Sequence, residues 1–553
     1  MRWAVYIAVA TFLAVAFVAP VLASLAAGLH VPTLIETVRD PLHREGLVNA
    51  LAIAVVTTAM TMVIAVPLAW IGARRRFTGM RLAEGLLLAP LILPPFVGAL
   101  GVAQVFGHYG ALNTGLAHLG LIDVAHPPDW LGEHRFVAVC ILEALHLYPF
   151  LYLTVVTALR RVDLELLEAA RALGAAPWRV ALRVVLPLVR PGLFAGGAVV
   201  FVWSFTELGT PLMLGYERCT PVQIFHGLNE LSSSRVPFAL VVVMLAVAAG
   251  IYWIGRGALG RGALHAGKGA SRTAATDVRG WRAVAAWIPF AVVIAAATFP
   301  HAAVAALAVA GDWYGSVLPR SWTTAHVEEA LAHPLVVPGV LNSLRYAAAA
   351  TVLGLVVGTA VAWITERWKP PGWRVLDAVA MLPLAVPGIV LAFGYLGLVL
   401  GSKTLEAWLS PVRDPTVLLI IAYAVRRLPH VVRSAAAGFQ QAPVQLEEAA
   451  AALGAGPATR LRRITLPLIA GNLAAGALLT FSFSMLEVAD SLVLAQKREF
   501  YPVTKVIYEL AGVIGAGPSI ACAFAVWAML FLAAALVSAN AFLGTRSGSL
   551  LRD

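Results

Sequence analysis

Apolar runs long enough to cross a bilayer alternate along this chain with short polar segments, many of which carry arginine. Runs of about 20 apolar residues occur near 4–28, 47–72, 82–106, 136–159, 191–214 and 237–255, and again near 283–309, 340–365, 375–400, 416–437, 468–494 and 518–543. Inside lipid only a helix or a closed barrel satisfies its own backbone polar groups. The pattern therefore predicts an all-α integral membrane protein with about 12 transmembrane helices. The first run follows Met1-Arg2 and carries Ala-Ser-Leu-Ala near its end, features shared with cleaved leaders. Its counterpart at 283–309 is internal, so both are read as spans.

The pattern occurs twice. Asn49, Ala69-Trp70-Ile71, Arg81, Pro90 and Pro94 recur at one constant offset as Asn342, Ala362-Trp363-Ile364, Arg374, Pro383 and Pro387. After a shorter outer loop in the second half, Pro149, Phe201, Ser204 and Glu207 recur as Pro429, Phe481, Ser484 and Glu487. Such a tandem duplication predicts two six-helix units, 1–256 and 283–553, that are parallel and related by an axis along the membrane normal. The Gly-, Ala- and Arg-rich segment 257–282 between them reads as a flexible cytoplasmic linker. Gly262 to Lys268 within it spells G-x-x-x-x-G-K, but Gly269 stands where Ser or Thr would hold magnesium, and no apolar strand precedes it. The chain is thus expected to have no ATP-hydrolysing site and no cofactor of its own.

Composition agrees with a membrane class: 60% of residues are hydrophobic and 12% are charged, against a usual apolar share of about 45–50%. The net charge of +11 would suggest nucleic acid in a soluble protein, but here it bears on orientation. With the N-terminus inside, most of the 40 Lys and Arg fall in cytoplasmic segments, among them Arg74-Arg75-Arg76 and the linker. Both termini are then cytoplasmic. Cys140, Cys219 and Cys522 are too far apart in sequence to suggest a disulfide framework or a metal site.

The two halves share one polar stretch above all. Glu168-Ala169-Ala170, three residues, Gly174, nine residues, Val184, one residue, Leu186-Pro187 returns as Glu448-Ala449-Ala450, Gly454, Ile464 and Leu466-Pro467 at the same spacing. Asp163 is a candidate N-cap, Leu164 to Leu173 suit a helix, and Gly174 can take the left-handed turn that ends it. Pro177 and Pro457 then suit the first turn of a second short helix. That helix is expected to stop before Pro187 or Pro467, because proline disfavours helical geometry in the residue ahead of it. Each loop, 163–187 and 443–467, carries several arginines and is too charged for lipid.

These two stretches resemble the EAA loops of the membrane subunits of binding-protein-dependent ATP-binding-cassette importers of type I. The presence of two in one chain resembles the fused permeases of the ferric iron importers most, and also those for thiamine and aminophosphonates. The resemblance implies an inner-membrane permease in which Glu168, Ala169, Ala170, Gly174, Leu186, Pro187 and their counterparts Glu448, Ala449, Ala450, Gly454, Leu466 and Pro467 couple it to two ATPase subunits. Those partners would bind ATP and magnesium, and an extracytoplasmic solute-binding protein would deliver the solute. A secondary transporter driven by an ion gradient, also two parallel six-span halves, is the alternative.

Polar groups inside spans are costly and are functional candidates. Glu207 and Glu487 hold equivalent places in the fifth and eleventh spans, with Asp490 one turn further on. They suit either a translocation path or hydrogen bonds between helices. Arg426 and Arg427 lie in the tenth span, and adjacent helical residues point about 100° apart. One is therefore expected to snorkel or to pair with a carboxylate such as Glu487, the other to meet substrate or an anion. The prolines of 86–101 and 379–394 predict irregular helices there, and Pro149 and Pro429 permit kinks. His108, His118, His126, His134 and His146 lack a metal-binding spacing, and no catalytic constellation is present. The protein is read as a transporter subunit without a metal site.

Overall fold

The structure is a computed structural model that describes residues 2–92, 94–123, 125–132, 134–230, 234–259 and 276–549. The G-x-x-x-x-G-K sequence at 262–268 and most of the linker lie outside the described residues. Apart from two short two-stranded pairings, the described elements are helical.

Eight described helices are long and apolar enough to cross a membrane. They are Arg2–Gly28, Pro41–Arg74, Arg135–Arg160, Pro177–Met213, Trp281–Ala308, Val336–Trp368, Pro457–Met485 and Gly517–Ala535. The expected third and ninth spans are broken: Met80–Leu91 meets Pro95–His118 at 89°, and Trp373–Leu384 meets Gly388–Leu400 at 107°. Proline explains both breaks, because Pro94 and Pro387 stand in extended geometry where a helical amide would be needed. The sixth is Val236–Leu259, whose apolar part is short. The tenth, Thr416–Gln441, contains Arg426, Arg427 and Arg433 and so is too charged to pass as an apolar span. Pro149 and Pro429 both lie inside uninterrupted helices.

Packing divides the described chain into two compact units that do not follow the sequence halves. One unit comprises 36–226 and 243–326. Its centre is a bundle of Pro41–Arg74, Arg135–Arg160 and Leu186–Phe205, and Trp281–Ala308 from the second repeat packs along Pro95–Phe106. Gly101 permits that approach: a Cβ there would lie 2.8 Å from the Val304 amide nitrogen and 2.9 Å from the Pro300 carbonyl oxygen. Trp287 donates its indole N–H to the Thr78 carbonyl at 3.0 Å, and Phe77 meets Phe290 edge-on.

The other unit comprises 1–35, 227–242 and 327–553, described to residue 549. It repeats the bundle with Val336–Trp363, Thr416–Gln441 and Leu466–Met485. Its partner helix comes from the first repeat: Ala19–Gly28 packs on Gly388–Leu400. Gly394, the repeat equivalent of Gly101, lies against Pro20, the equivalent of Pro300. The Tyr395 hydroxyl donates to the Ala16 carbonyl at 2.7 Å, and Ser24 donates to the Val390 carbonyl at 3.2 Å. Each packing unit therefore takes the leading span of the opposite repeat, through the same proline–glycine crossing.

Candidate functional site

The two EAA loops are built alike. Leu164–Ala172 is capped by the Asp163 carboxylate, which accepts from the Glu165 amide at 3.0 Å, and Val444–Ala452 is its counterpart. Gly174 and Gly454 sit at φ +79° and +84°, the left-handed conformation expected of them. Around each glycine the amides close a Schellman motif: Gly174 to Arg171 and Ala175 to Ala170, then Gly454 to Ala451 and Ala455 to Ala450. Nothing lies within 4 Å of a Cβ built on either glycine, so backbone geometry alone selects the residue. Leu173 and Leu453, just ahead of the glycines, are each 89% exposed. Glu168 and Glu448 are exposed as well.

The second short helix does not stop before the proline. Pro177–Val180 continues through a wide π turn, Ala181–Val185, directly into Leu186–Phe205, and the second loop does the same through Leu461–Thr465. Leu186 and Leu466 are helical although a proline follows each. Their amides reach back five residues, to the Ala181 and Leu461 carbonyls. The wider turn makes room for the proline ring, and the amide that Pro187 or Pro467 lacks is not required. The short helix and the span behind it thus form one unbroken element.

In the unit containing residues 327–549, the intramembrane candidates converge on Glu487, which is buried. Both arginines reach it: Arg426 Nε lies 3.2 Å from Glu487 Oε2, and Arg427 donates to the same oxygen. The expected divergence of the two arginines fails because their side chains are long enough to fold back on one carboxylate. Arg427 also donates to the Phe483 carbonyl at 3.2 Å and lies over the Phe483 ring. Thr504 donates to the Glu487 carbonyl at 2.6 Å, and Tyr423 and Ser491 share a hydrogen bond of 2.6 Å beside it. Asp490 is buried nearby, with no hydrogen bond to its carboxylate among the described residues.

The equivalent place in the other unit has different chemistry. Glu207 accepts from the Gly209 amide at 3.2 Å and the Thr210 amide at 3.4 Å, turning the chain into the next short helix. Glu143, the repeat equivalent of Tyr423, is buried and accepts from Ser204. His146 replaces Arg426 and lies 3.0 Å from the Pro90 carbonyl. Spacing alone does not single out Glu143, Tyr423, Ser491 or Thr504. The repeat alignment of Glu143 with Tyr423 was the available signal.

The loop histidines do not form one site. His126 pairs with Asp123 at 3.2 Å, while His146 is engaged elsewhere. The Ala125 amide, and after it His126, hold the Asp123 carboxyl below its usual value. Among the described residues no group of three His, Cys, Asp or Glu side chains is arranged to hold a metal ion. Cys140, Cys219 and Cys522 are buried and free.

Comparison with known proteins matches the family described as binding-protein-dependent transport system inner membrane component at residues 62–261 and again at 350–541. A probable ABC transporter permease protein, y4fN of Sinorhizobium fredii, is 28% identical over 69% of this chain and 67% of its own length. The putative ferric transport system permease protein FbpB 1 of Haemophilus influenzae is 24% identical over 82% of this chain and 70% of its own. The molybdenum transport system permease protein ModB of Mycobacterium bovis is 29% identical over 45% of this chain and 90% of its own, one unit in length. These matches give no support to a transporter driven by an ion gradient. Two family domains in tandem, on a helical fold with a repeated EAA loop, place this chain in that family as a fused two-unit, multi-pass inner-membrane permease of an ABC importer.

Proposed function

We propose that the two EAA loops are the handles by which two ATPase subunits move this permease. Leu173 and Leu453 carry this reading: each is an almost fully exposed leucine held on an identically capped turn. An apolar side chain presented so rigidly at both equivalent places suits a protein groove. Because the short helix continues without a break into the span behind it, a displacement of the loop is carried into the membrane. Two ATPase subunits bind ATP and magnesium and close. The permease changes between inward- and outward-open states, and an extracytoplasmic binding protein supplies the solute. The distribution of Lys and Arg supports a cytoplasmic side for the loops, the linker 257–282 and both termini. The sequence repeats 1–256 and 283–553 supply the two halves of the pump, with their leading spans exchanged, and this chain contributes no ATP site.

Replacing Gly174 and Gly454 together by valine tests the reading. A β-branched residue at this φ is strained by about 1–3 kcal/mol, while the open space around the glycine leaves insertion untouched. ATP-dependent uptake by the reconstituted complex should be lost in the double variant at normal abundance in the membrane. Undiminished uptake would refute the assignment.

For the solute we propose ferric iron. The support is the ferric relative, which matches this chain over most of its two-unit length, whereas the molybdenum relative matches one unit. Thiamine and an aminophosphonate follow from the resemblance of the loops alone. One observation favours a second reading, an oxyanion: the Arg426 guanidinium lies against Gly388, the first residue after the break at Pro387. The freed amides of a broken helix and a guanidinium together suit an anion. Glu487 then holds both arginines, Arg427 as a structural pair and Arg426 as a group that also reaches the break; Arg426 and Asp490 are the path groups of one half, and Glu207 is that of the other. ATP-dependent uptake of radiolabelled ferric iron against molybdate, each with its binding protein, separates the readings. Uptake of molybdate alone would replace iron by the oxyanion.

A further inference from the structure

Beside the first EAA loop is a cavity of about 500 Å³ whose lining includes Trp70, Arg74, Arg75, Arg171, Arg282 and Glu168. The short parallel pairing of Arg75–Arg76 with Thr276–Asp277 draws the end of the linker to the end of the second span and so brings Arg282 to this place. Four cations face one acid. Arg74 Nε and Nη2 are buried and have no hydrogen-bond partner among the described residues. Its guanidinium lies 5.9 Å from the Trp70 ring centre.

The second repeat supplies an internal control. Arg367, the equivalent of Arg74, donates to the Ala442 carbonyl at 2.8 Å, pairs with Glu447 at 3.4 Å and lies over the Phe439 ring. Glu447 is replaced by Leu167 in the first repeat, Ala451 by Arg171 and Trp368 by Arg75. The same corner has therefore lost its acid, gained two cations and kept the arginine. Leaving two guanidinium nitrogens buried without an acceptor is costly, and an anion would supply one.

We propose that this corner is a binding site for a phosphate group, either that of an anionic phospholipid headgroup or free phosphate. Arginine forks match phosphate oxygens. Basic pockets between membrane helices take anionic headgroups, and tryptophans favour the depth at which headgroups lie. The site is read from the first repeat together with the end of the linker and the start of Trp281–Ala308, and does not depend on the transported solute.

The full-length permease in nanodiscs of phosphatidylcholine doped with cardiolipin provides the lipid test, with retained cardiolipin counted by native mass spectrometry. Dialysis of the detergent-solubilised permease against radiolabelled inorganic phosphate provides the other. Leu167→Glu installs the acid that the second repeat has in Glu447, and should weaken binding of the true ligand about tenfold. Because Leu167 is buried, the double variant Arg74→Gln with Arg171→Gln is made alongside and should weaken binding as much. Arg463→Gln, on the second loop, should leave binding unchanged. An effect confined to cardiolipin identifies a headgroup site, and one confined to phosphate a free-anion site. Equal binding of both probes in all variants overturns the proposal. So does loss of both probes from the unmodified permease once ATPase subunits are bound, which would assign the corner to the docking surface.

Discussion

Glu207 and Glu487 stand at the same place in the two repeats and are satisfied in opposite ways. Glu207 accepts backbone amides of the turn that follows it, whereas Glu487 is held by two arginines and carries Asp490 beside it. The duplication kept the carboxylate and changed everything that compensates it. A carboxylate serving as a local cap depends on its own chain, while one serving as a counter-ion depends on a neighbouring helix, here Thr416–Gln441. The two halves of this permease therefore have equivalent backbones, but their buried polar interiors are not interchangeable.

The sharpest way to break that comparison is to remove the same charge from both places. Glu487→Gln removes the buried counter-ion of the partly buried Arg426 and Arg427 and should cost about 3 kcal/mol. Glu207→Gln keeps an oxygen that can accept from the same two amides and loses only the charge, so it should cost about 1 kcal/mol or less. Thermal unfolding in detergent reads both. Equal shifts in the two variants would mean that the arginines do not depend on Glu487.

A second test concerns the feature the units share. Alanine at Gly101 drives a methyl group toward the backbone of Val304 and Pro300, and alanine at Gly394 does so toward Pro20. Backbone cannot move aside as the tip of a side chain can, so each substitution should destabilise by about 1–3 kcal/mol. The two effects should be similar, because the crossing is the same. A loss at one glycine only would show that the leading spans are held differently in the two units.

What the sequence disclosed follows from how local each feature is. The EAA turns could be read residue by residue, since a capping Asp163 and a glycine at positive φ act within their own few residues. The broken third and ninth spans were legible for the same reason, in Pro94 and Pro387. The exchange of leading spans was not, because the runs at 4–28 and 283–309 are equally apolar and carry nothing that names their neighbour. Helical spacing misjudged Arg426 and Arg427, because it describes where side chains leave the helix and says nothing of where long ones end. Pro187 and Pro467 misled because a π turn absorbs what an α-helix cannot.

The smallest expected difference lies where the second span meets each EAA loop. Arg367 and Glu447 pair at 3.4 Å with both side chains mostly shielded, at 13% and 19% exposure. On the first repeat the nearest comparable pair is Arg160 with Glu84, shorter at 2.7 Å but more exposed, at 46% and 31%. Distance alone would rank the second pair higher, whereas screening reverses the order, because water weakens an exposed pair whatever its length. A double-mutant cycle on Arg367 and Glu447 should give a coupling of about 1 kcal/mol, and one on Arg160 and Glu84 about 0.5 kcal/mol or less. Raising the salt concentration should erode the Arg160 coupling first. The reverse order would mean that the Arg367 guanidinium is held by the Ala442 carbonyl and the Phe439 ring, with Glu447 contributing little to its place.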